Sequence, residues 1–316
     1  MPVSLCRIRC LGRLILLSAT LVGCAGLVPD SPDACKFDKI TELPIKISRS
    51  SQPTVTIEID GKPLNLLLDT GASSAVIFES ALDRTGLRKD LRYHGVAGGA
   101  GGYTSLDAIR ADVLKLGDIT LLDEILAVAP FDLTLPGSDA IDGLLGFSLL
   151  GKYDVDLDLP HHRMVLYRAR YCPNGVPPWD TPGRVVQRPA NAPFDGKPYA
   201  PITVNGKRLL GLLDTGATAV FIARPVVTAM GITEADLAAD HKIMIGNASK
   251  VKVENIAHRF DNLNFLGLSV DHPTLGIIPS SSGVDLIVGM PILAVHRVWI
   301  PVQGRKIHVS LPITPQ

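Results

Sequence analysis

The chain has 316 residues, with 31 Lys plus Arg against 31 Asp plus Glu, and 46% of its side chains are apolar. That balance offers no basic patch for nucleic acid, and beyond the amino-terminal segment no apolar run is long enough to span a membrane. The length suits one or two domains, each with room for its own core.

Arg7, Arg9 and Arg13 precede an apolar segment, Leu14 to Gly23, that is too short to cross a bilayer and of signal-peptide length. Residues 1–23 therefore read as a signal peptide. Its end, Leu21-Val22-Gly23-Cys24, resembles the bacterial lipobox; the alternative is an ordinary signal peptide that happens to contain a cysteine. The resemblance implies that Cys24 is acylated and becomes the first mature residue, that 24–35 is a tether, and that the protein is lipid-anchored in the cell envelope, facing the periplasm. Ala25 in place of aspartate is the Gram-negative pattern for the outer membrane. Removing the leader takes three arginines and leaves 28 bases against 31 acids, a net charge of −3. Of the five cysteines, Cys35 and Cys172 remain as an even pair in an exported protein, which predicts a disulfide between them.

The next elements occur twice. Ile57-Glu58-Ile59-Asp60-Gly61-Lys62 lines up with Ile202-Thr203-Val204-Asn205-Gly206-Lys207, and alternating apolar residues around Asp-Gly or Asn-Gly predict a tight hairpin in each half. Each hairpin's second strand, Leu66-Leu67-Leu68 or Leu212-Leu213, ends in a near-identical loop, Asp69-Thr70-Gly71-Ala72-Ser73 or Asp214-Thr215-Gly216-Ala217-Thr218. A carboxylate at the end of an apolar strand is costly unless it has a use. Farther on, Asp142-Gly143-Leu144-Leu145-Gly146 matches Asp285-Leu286-Ile287-Val288-Gly289, and alternating strands follow both. Short helices are predicted at Glu79 to Thr85 and at Ala223 to Met230. The chain thus reads as two copies of one all-β unit of roughly 130 residues. The boundaries are 36–172 and 199–316, with the stretch 173–198, which carries seven prolines, as the linker.

Two D-T-G-A loops, each followed about 75 residues later by an apolar-apolar-Gly element, resemble the aspartic peptidases, pepsin-like and in particular retropepsin-like. The resemblance implies two acid-protease-type β-barrel lobes related by a pseudo-twofold axis, in one chain that acts as a monomeric pseudo-dimer. It implies Asp69 and Asp214 as the catalytic dyad, Thr70 and Thr215 as braces bonded across to the opposite loop, and Gly71, Ala72, Ser73, Gly216, Ala217 and Thr218 as the loops supporting it. The substrate is then a polypeptide, with no metal and no cofactor. Two adjacent carboxyls cannot both ionise cheaply and share a proton, a property for which aspartic peptidases are the type case. Such a pair holds a base and an acid in one place. Pepsin-like members carry serine where this chain has Ala72 and Ala217; without those hydroxyls the dyad keeps its proton to higher pH, which predicts a mildly acidic to near-neutral optimum.

The run from Gly95 to Tyr103 is rich in glycine, including Gly98, Gly99, Gly101 and Gly102. It reads either as a mobile flap, which the family resemblance places here with Tyr103 as a further candidate, or as a plain surface loop. The counterpart around Ile245 to Ser249 has far less glycine, which predicts one dominant flap. Asp154-x-Asp156-x-Asp158 lacks the glycine and glutamate of a calcium loop and reads as an exposed strand face. His161-His162, beside Pro160, lacks the partners of a metal site. Three readings of function follow: an intramolecular aspartic endopeptidase, an inactive peptide- or envelope-binding lipoprotein of the same fold, and an oligomer in which each loop pairs with a second chain.

Overall fold

A computed structural model describes residues 36–49, 51–99, 102–130, 132, 140–170, 176–193, 195–246, 252–279, 283–302 and 306–314. Cys24, Cys35, Cys172 and Gly101 lie outside the described residues, and with them the expected lipidation and disulfide. From Lys36 onward the described chain belongs to one compact unit that is mostly strand.

Each half begins with its expected hairpin. Pro53–Ile59 pairs with Lys62–Leu68, and Tyr199–Val204 with Lys207–Leu213. The turns need two consecutive left-handed residues, and the chain supplies them: Asp60 and Gly61 have φ of 48° and 74°, Asn205 and Gly206 of 46° and 75°. After each loop comes a three-residue strand, Val76–Phe78 or Phe221–Ala223, and then a short helix, Glu79–Thr85 or Arg224–Ala229. A later strand of each unit, Gly143–Leu145 or Leu286–Val288, slots between that three-residue strand and the hairpin's second strand, parallel to the latter. This insertion places the apolar-apolar-Gly element directly beneath the loop that bears the aspartate.

Both halves also carry the hairpin that a flap requires. In the first, Lys89–Gly99 pairs with Gly102–Leu116, with Gly98 opposite Tyr103 and Gly99 opposite Gly102. The second half has His241–Gly246 against Lys252–Arg259 at the equivalent place, so two hairpins flank the halves where glycine content alone suggested one. Glycine counts report local freedom, whereas the hairpin is fixed by its pairing to the next strand, Ile119–Ala129 or Thr274–Ile278.

A third sheet joins the halves. Its six strands run in the order Lys36–Pro44, Arg163–Arg170, Asp154–Asp158, Arg297–Ile300, Lys306–Ser310 and Gly183–Gln187, three from the first half, two from the second and one from the stretch between them. The proline-rich stretch 173–198 therefore contributes an edge strand of this sheet. The seam is Asp154–Asp158 antiparallel to Arg297–Ile300, with Asp156 opposite Trp299. Here the expected exposed acidic face is corrected: Asp154, Asp156 and Asp158 are 5%, 0% and 0% exposed. The alternation was that of a strand, but cations distant in sequence cover the acids. Arg297 donates from Nε and Nη2 to the two oxygens of Asp156 at 2.9 and 2.6 Å. Arg163 donates to Asp158 at 3.0 and 2.8 Å, and His161 Nδ1 lies 2.6 Å from the same carboxylate. Asp154 accepts the N–H groups of Ala169 and Val302 at 2.9 and 3.0 Å. Each buried charge is thus matched by a cation or by N–H donors, as burial demands.

One apolar cluster, from Leu43 to Val309, runs through both halves. Among the described residues no helix is long and apolar enough to cross a membrane, and no group of three or more His, Cys, Asp or Glu is arranged for a metal.

Candidate active site

Leu66, Leu67 and Leu68 are buried, and the chain leaves the core at Asp69; Leu212, Leu213 and Asp214 do the same. Beneath them the backbone wiring is duplicated. The Asp69 and Asp214 N–H groups donate to the carbonyls of Leu145 and Val288 at 3.1 and 2.9 Å. Phe147 and Met290, each just after the glycine, donate to Ala72 and Ala217 at 3.0 and 2.9 Å. No side chain fits at those glycines: a Cβ on Gly146 would sit 2.4 Å from the Ser74 carbonyl oxygen, and one on Gly289 2.3 Å from that of Ala219.

The loops are tied to each other through their threonines, both 1% exposed. Thr70 Oγ1 donates to Leu213 O at 2.7 Å and accepts Thr215 N–H at 3.0 Å. Thr215 Oγ1 donates to Leu68 O at 2.5 Å and accepts Thr70 N–H at 3.1 Å. Four hydrogen bonds thus satisfy three polar groups from each side, a hydroxyl, an N–H and a carbonyl, so the loops are locked in one mutual position.

That lock brings the carboxyls together. Asp69 and Asp214 share a hydrogen bond, although they lie 145 positions apart in sequence. A Cβ on Gly71 would fall 2.5 Å from Asp214 Cγ, and one on Gly216 2.7 Å from Asp69 Cγ, so only glycine lets each loop pass the opposing carboxyl. Asp69 Oδ1 accepts the N–H groups of Gly71 and Ala72 at 2.9 and 2.8 Å; Asp214 Oδ1 accepts that of Gly216 at 2.8 Å. Burial raises both carboxyls above the ordinary range, and the adjacent Asp69 charge lifts Asp214 well above it. Two carboxyls so close and so buried hold a proton between them more readily than either would alone. Ser73 and Thr218, at the outer ends of the loops, are exposed.

Three supporting residues were not picked out from the sequence. Gln52, 3% exposed, donates from Nε2 to Gly216 O at 2.6 Å and so reaches the opposite loop. Asp142 and Asp285 each accept a strand N–H, from Asn65 and Leu210, at 2.8 Å, and Arg84 pairs with Asp142. The signal was present in the repeat: Asp142 aligns with Asp285, and Gln52-Pro53 with Lys197-Pro198.

The family model described as "Aspartyl protease" matches residues 55–149 and again 200–292, more than half of the chain. The chain belongs to the aspartyl protease family. Each matched block spans one hairpin, one D-T-G-A loop and one apolar-apolar-Gly element, so the family resemblance and the internal duplication describe the same units. Among curated relatives, UBA domain-containing protein Mud1 of Schizosaccharomyces pombe is 29% identical over 110 residues, 34% of this chain and 31% of that protein. Protein DNA-DAMAGE INDUCIBLE 1 of Arabidopsis thaliana is 30% identical over 114 residues, covering 35% and 26% of the two chains. DNA damage-inducible protein 1 of Neurospora crassa is 25% identical over 112 residues, covering 35% and 24%. The matched segments thus span between about a quarter and a third of these relatives' length, about the size of one of the two halves seen here.

Proposed function

We propose that this chain is an aspartic endopeptidase with a single intramolecular site. The observation that carries the reading is the hydrogen-bonded contact of Asp69 and Asp214, held by reciprocal threonine bonds within one polypeptide. The ionised member of the pair takes a proton from a water as the water's oxygen attacks the scissile carbonyl carbon, while the protonated member gives its proton to the carbonyl oxygen. The tetrahedral diol collapses as a proton passes to the amide nitrogen, the C–N bond breaks, and an acid and an amine leave. No covalent intermediate forms. The two loop glycines and their N–H groups keep the carboxyls in place throughout.

Activity requires one proton on the pair, so it rises as the pair loses its first proton and falls as it loses its second. Because burial raises both, and Ala72 and Ala217 bring no hydroxyl to favour ionisation, the profile should peak in mildly acidic to near-neutral solution. A peak near pH 2 contradicts this. The deciding experiment is a peptide-library digest with wild type, Asp69→Asn and Asp214→Asn: cleavage by the first and by neither variant supports the reading, and cleavage that survives either substitution ends it. A cleft that has lost turnover would bind the same peptides and cleave none. Specific activity should not fall on dilution, in contrast to a site shared between two chains.

The same reading places the enzyme in the cell envelope, anchored through Cys24, with polypeptides of that compartment as substrate and Cys35 joined to Cys172. It rests on the leader and cysteine pattern alone. Cys24→Ser should move the protein from the membrane fraction to the soluble one, and a free-thiol assay on the unreduced protein should find neither Cys35 nor Cys172.

A further inference from the structure

Gln52 lies in the turn that leads into the first hairpin, and both of its backbone groups are fixed there. Its N–H donates to Ser48 Oγ at 3.1 Å, and its carbonyl accepts the Ser48 N–H at 2.9 Å. Pro53 follows and starts the strand Pro53–Ile59, so the backbone around Gln52 has little freedom. From this anchor Gln52, 3% exposed, sends its side chain across to the second half and donates from Nε2 to Gly216 O at 2.6 Å. Lys197, which the repeat aligns with Gln52, pairs with its neighbour Asp195 at 3.1 Å.

Gly216 lies against both carboxyls. Its N–H donates to Asp214 Oδ1 at 2.8 Å, and a Cβ on it would stand 2.7 Å from Asp69 Cγ. Glycine has the softest backbone of any residue, and the threonine lock acts on the residue before it, Thr215. In the first loop the peptide after the glycine is held by its N–H, which Ala72 gives to Asp69 Oδ1 at 2.8 Å. In the second loop the same peptide is held by its carbonyl, and the donor is Gln52.

We propose that Gln52 is a positioning residue for the dyad: its amide, cast from the first half, fixes the Gly216–Ala217 peptide of the second loop and with it the placement of the Asp214 carboxyl against Asp69. The catalytic meaning rests on the peptidase reading, whereas the placement of the peptide is a property of the folded chain alone. A buried carbonyl deprived of its donor turns toward another one, and at Gly216 that turn also moves the N–H that Asp214 Oδ1 accepts. Displacing a group that acts in the chemical step is felt in kcat, with KM little changed.

The test uses the full chain, with peptide cleavage followed across pH beside 15N NMR of the Ala217 and Ala72 amides, at a temperature where every variant is folded. Gln52→Leu keeps the size and removes the donor: kcat should fall about tenfold with KM held within about twofold, and the Ala217 amide should shift while that of Ala72 stays. Gln52→Glu separates this role from packing. Its carboxyl still donates to Gly216 O when protonated, and when ionised it sets an acceptor against an acceptor. Burial holds that carboxyl above the ordinary glutamate range, so kcat should match wild type in acid and fall about tenfold relative to it as the carboxyl ionises, and the Ala217 shift should follow with the same midpoint. A ratio to wild type that is flat across pH, kcat in Gln52→Leu within about twofold of wild type, or a fall carried by KM would overturn the proposal. Should Gln52→Leu fail to fold, the Gln52→Glu ratio decides, since that variant keeps the bond in acid. If the wild type cleaves no peptide, the peptidase reading fails and the pH-dependent Ala217 shift in Gln52→Glu still decides the role of Gln52.

Discussion

Set side by side, the two halves agree atom for atom under the aspartates and disagree around them. Both loops hang from the same carbonyls, are braced by the same post-glycine N–H, and cross through the same threonine hydroxyls. Their packing is met by different residues: Leu66 lies beside Gly143 in the first half, whereas in the second the glycine is Gly211 and the leucine Leu286. Leucine and glycine have exchanged strands, and one large side chain per pair is kept. The lesson is that duplication preserved the geometry of the carboxyls, while packing volume could be redistributed between the strands beneath them.

The dyad itself should give the largest effects. Asp69→Asn and Asp214→Asn should each lower kcat/KM by about a thousandfold or more, since each removes one partner of the acid–base pair; a variant that retains a tenth of wild-type activity would break the equivalence of the halves. Stability should move the other way. The folded-state value of Asp214 is raised above the ordinary 3.8, so its contribution is fully present below that value and is lost as pH rises through the folded value. Asp214→Asn escapes that loss. Its melting temperature should exceed that of wild type at about pH 8, and the gap should close toward about pH 3.

Next in size is the seam. The pseudo-twofold carries Asp154 onto Arg297 and Asp156 onto Trp299, and Asp156 and Trp299 face each other on the axis. Two copies of the first half joined in the same way would set Asp156 against Asp156 without Arg297, a like-charge pair at a buried site. The halves are complementary where the loops are identical, which favours their meeting within one chain. Arg297→Met should destabilise the protein by about 3–5 kcal/mol in denaturant unfolding, because it leaves Asp156 buried without its partner. A loss below about 1 kcal/mol would mean that the seam is held by apolar packing alone.

Much of this was legible in the sequence, for stated reasons. Local signals carried the hairpins, because Asp-Gly and Asn-Gly readily take two left-handed residues, and the first helix matches its expected span, Glu79–Thr85. The repeat carried the meeting of Asp69 and Asp214. What stayed hidden needed partners far away in sequence. Asp156 looked exposed because Arg297, 141 residues on, is what makes its burial tolerable. The hairpin at His241–Arg259 has one glycine, Gly246, and shows through its pairing.

The packing exchange makes a quantitative comparison. Leu66 and Leu286 are each 0% exposed, so Leu66→Ala and Leu286→Ala should each cost about 2–5 kcal/mol, and by similar amounts if the exchange conserved volume. A difference above about 2 kcal/mol would show that one half carries the core and the other follows it.

The threonine bridge gives the smallest effect and the most direct measure of coupling between halves. Thr70→Val removes a hydroxyl that both donates to Leu213 O and accepts Thr215 N–H, and Thr215→Val removes its mirror image. Each should destabilise by about 1–3 kcal/mol, the cost of buried backbone groups left without partners, whereas serine at either position should be nearly neutral. The two hydroxyls bond to different backbone groups, so independent bridges would make the double variant additive. If the bridges instead hold one rigid arrangement, the first substitution loosens the second bond and the double variant costs less than the sum, by about 0.5 kcal/mol or more. Additivity would reduce the lock between the halves to two separate contacts.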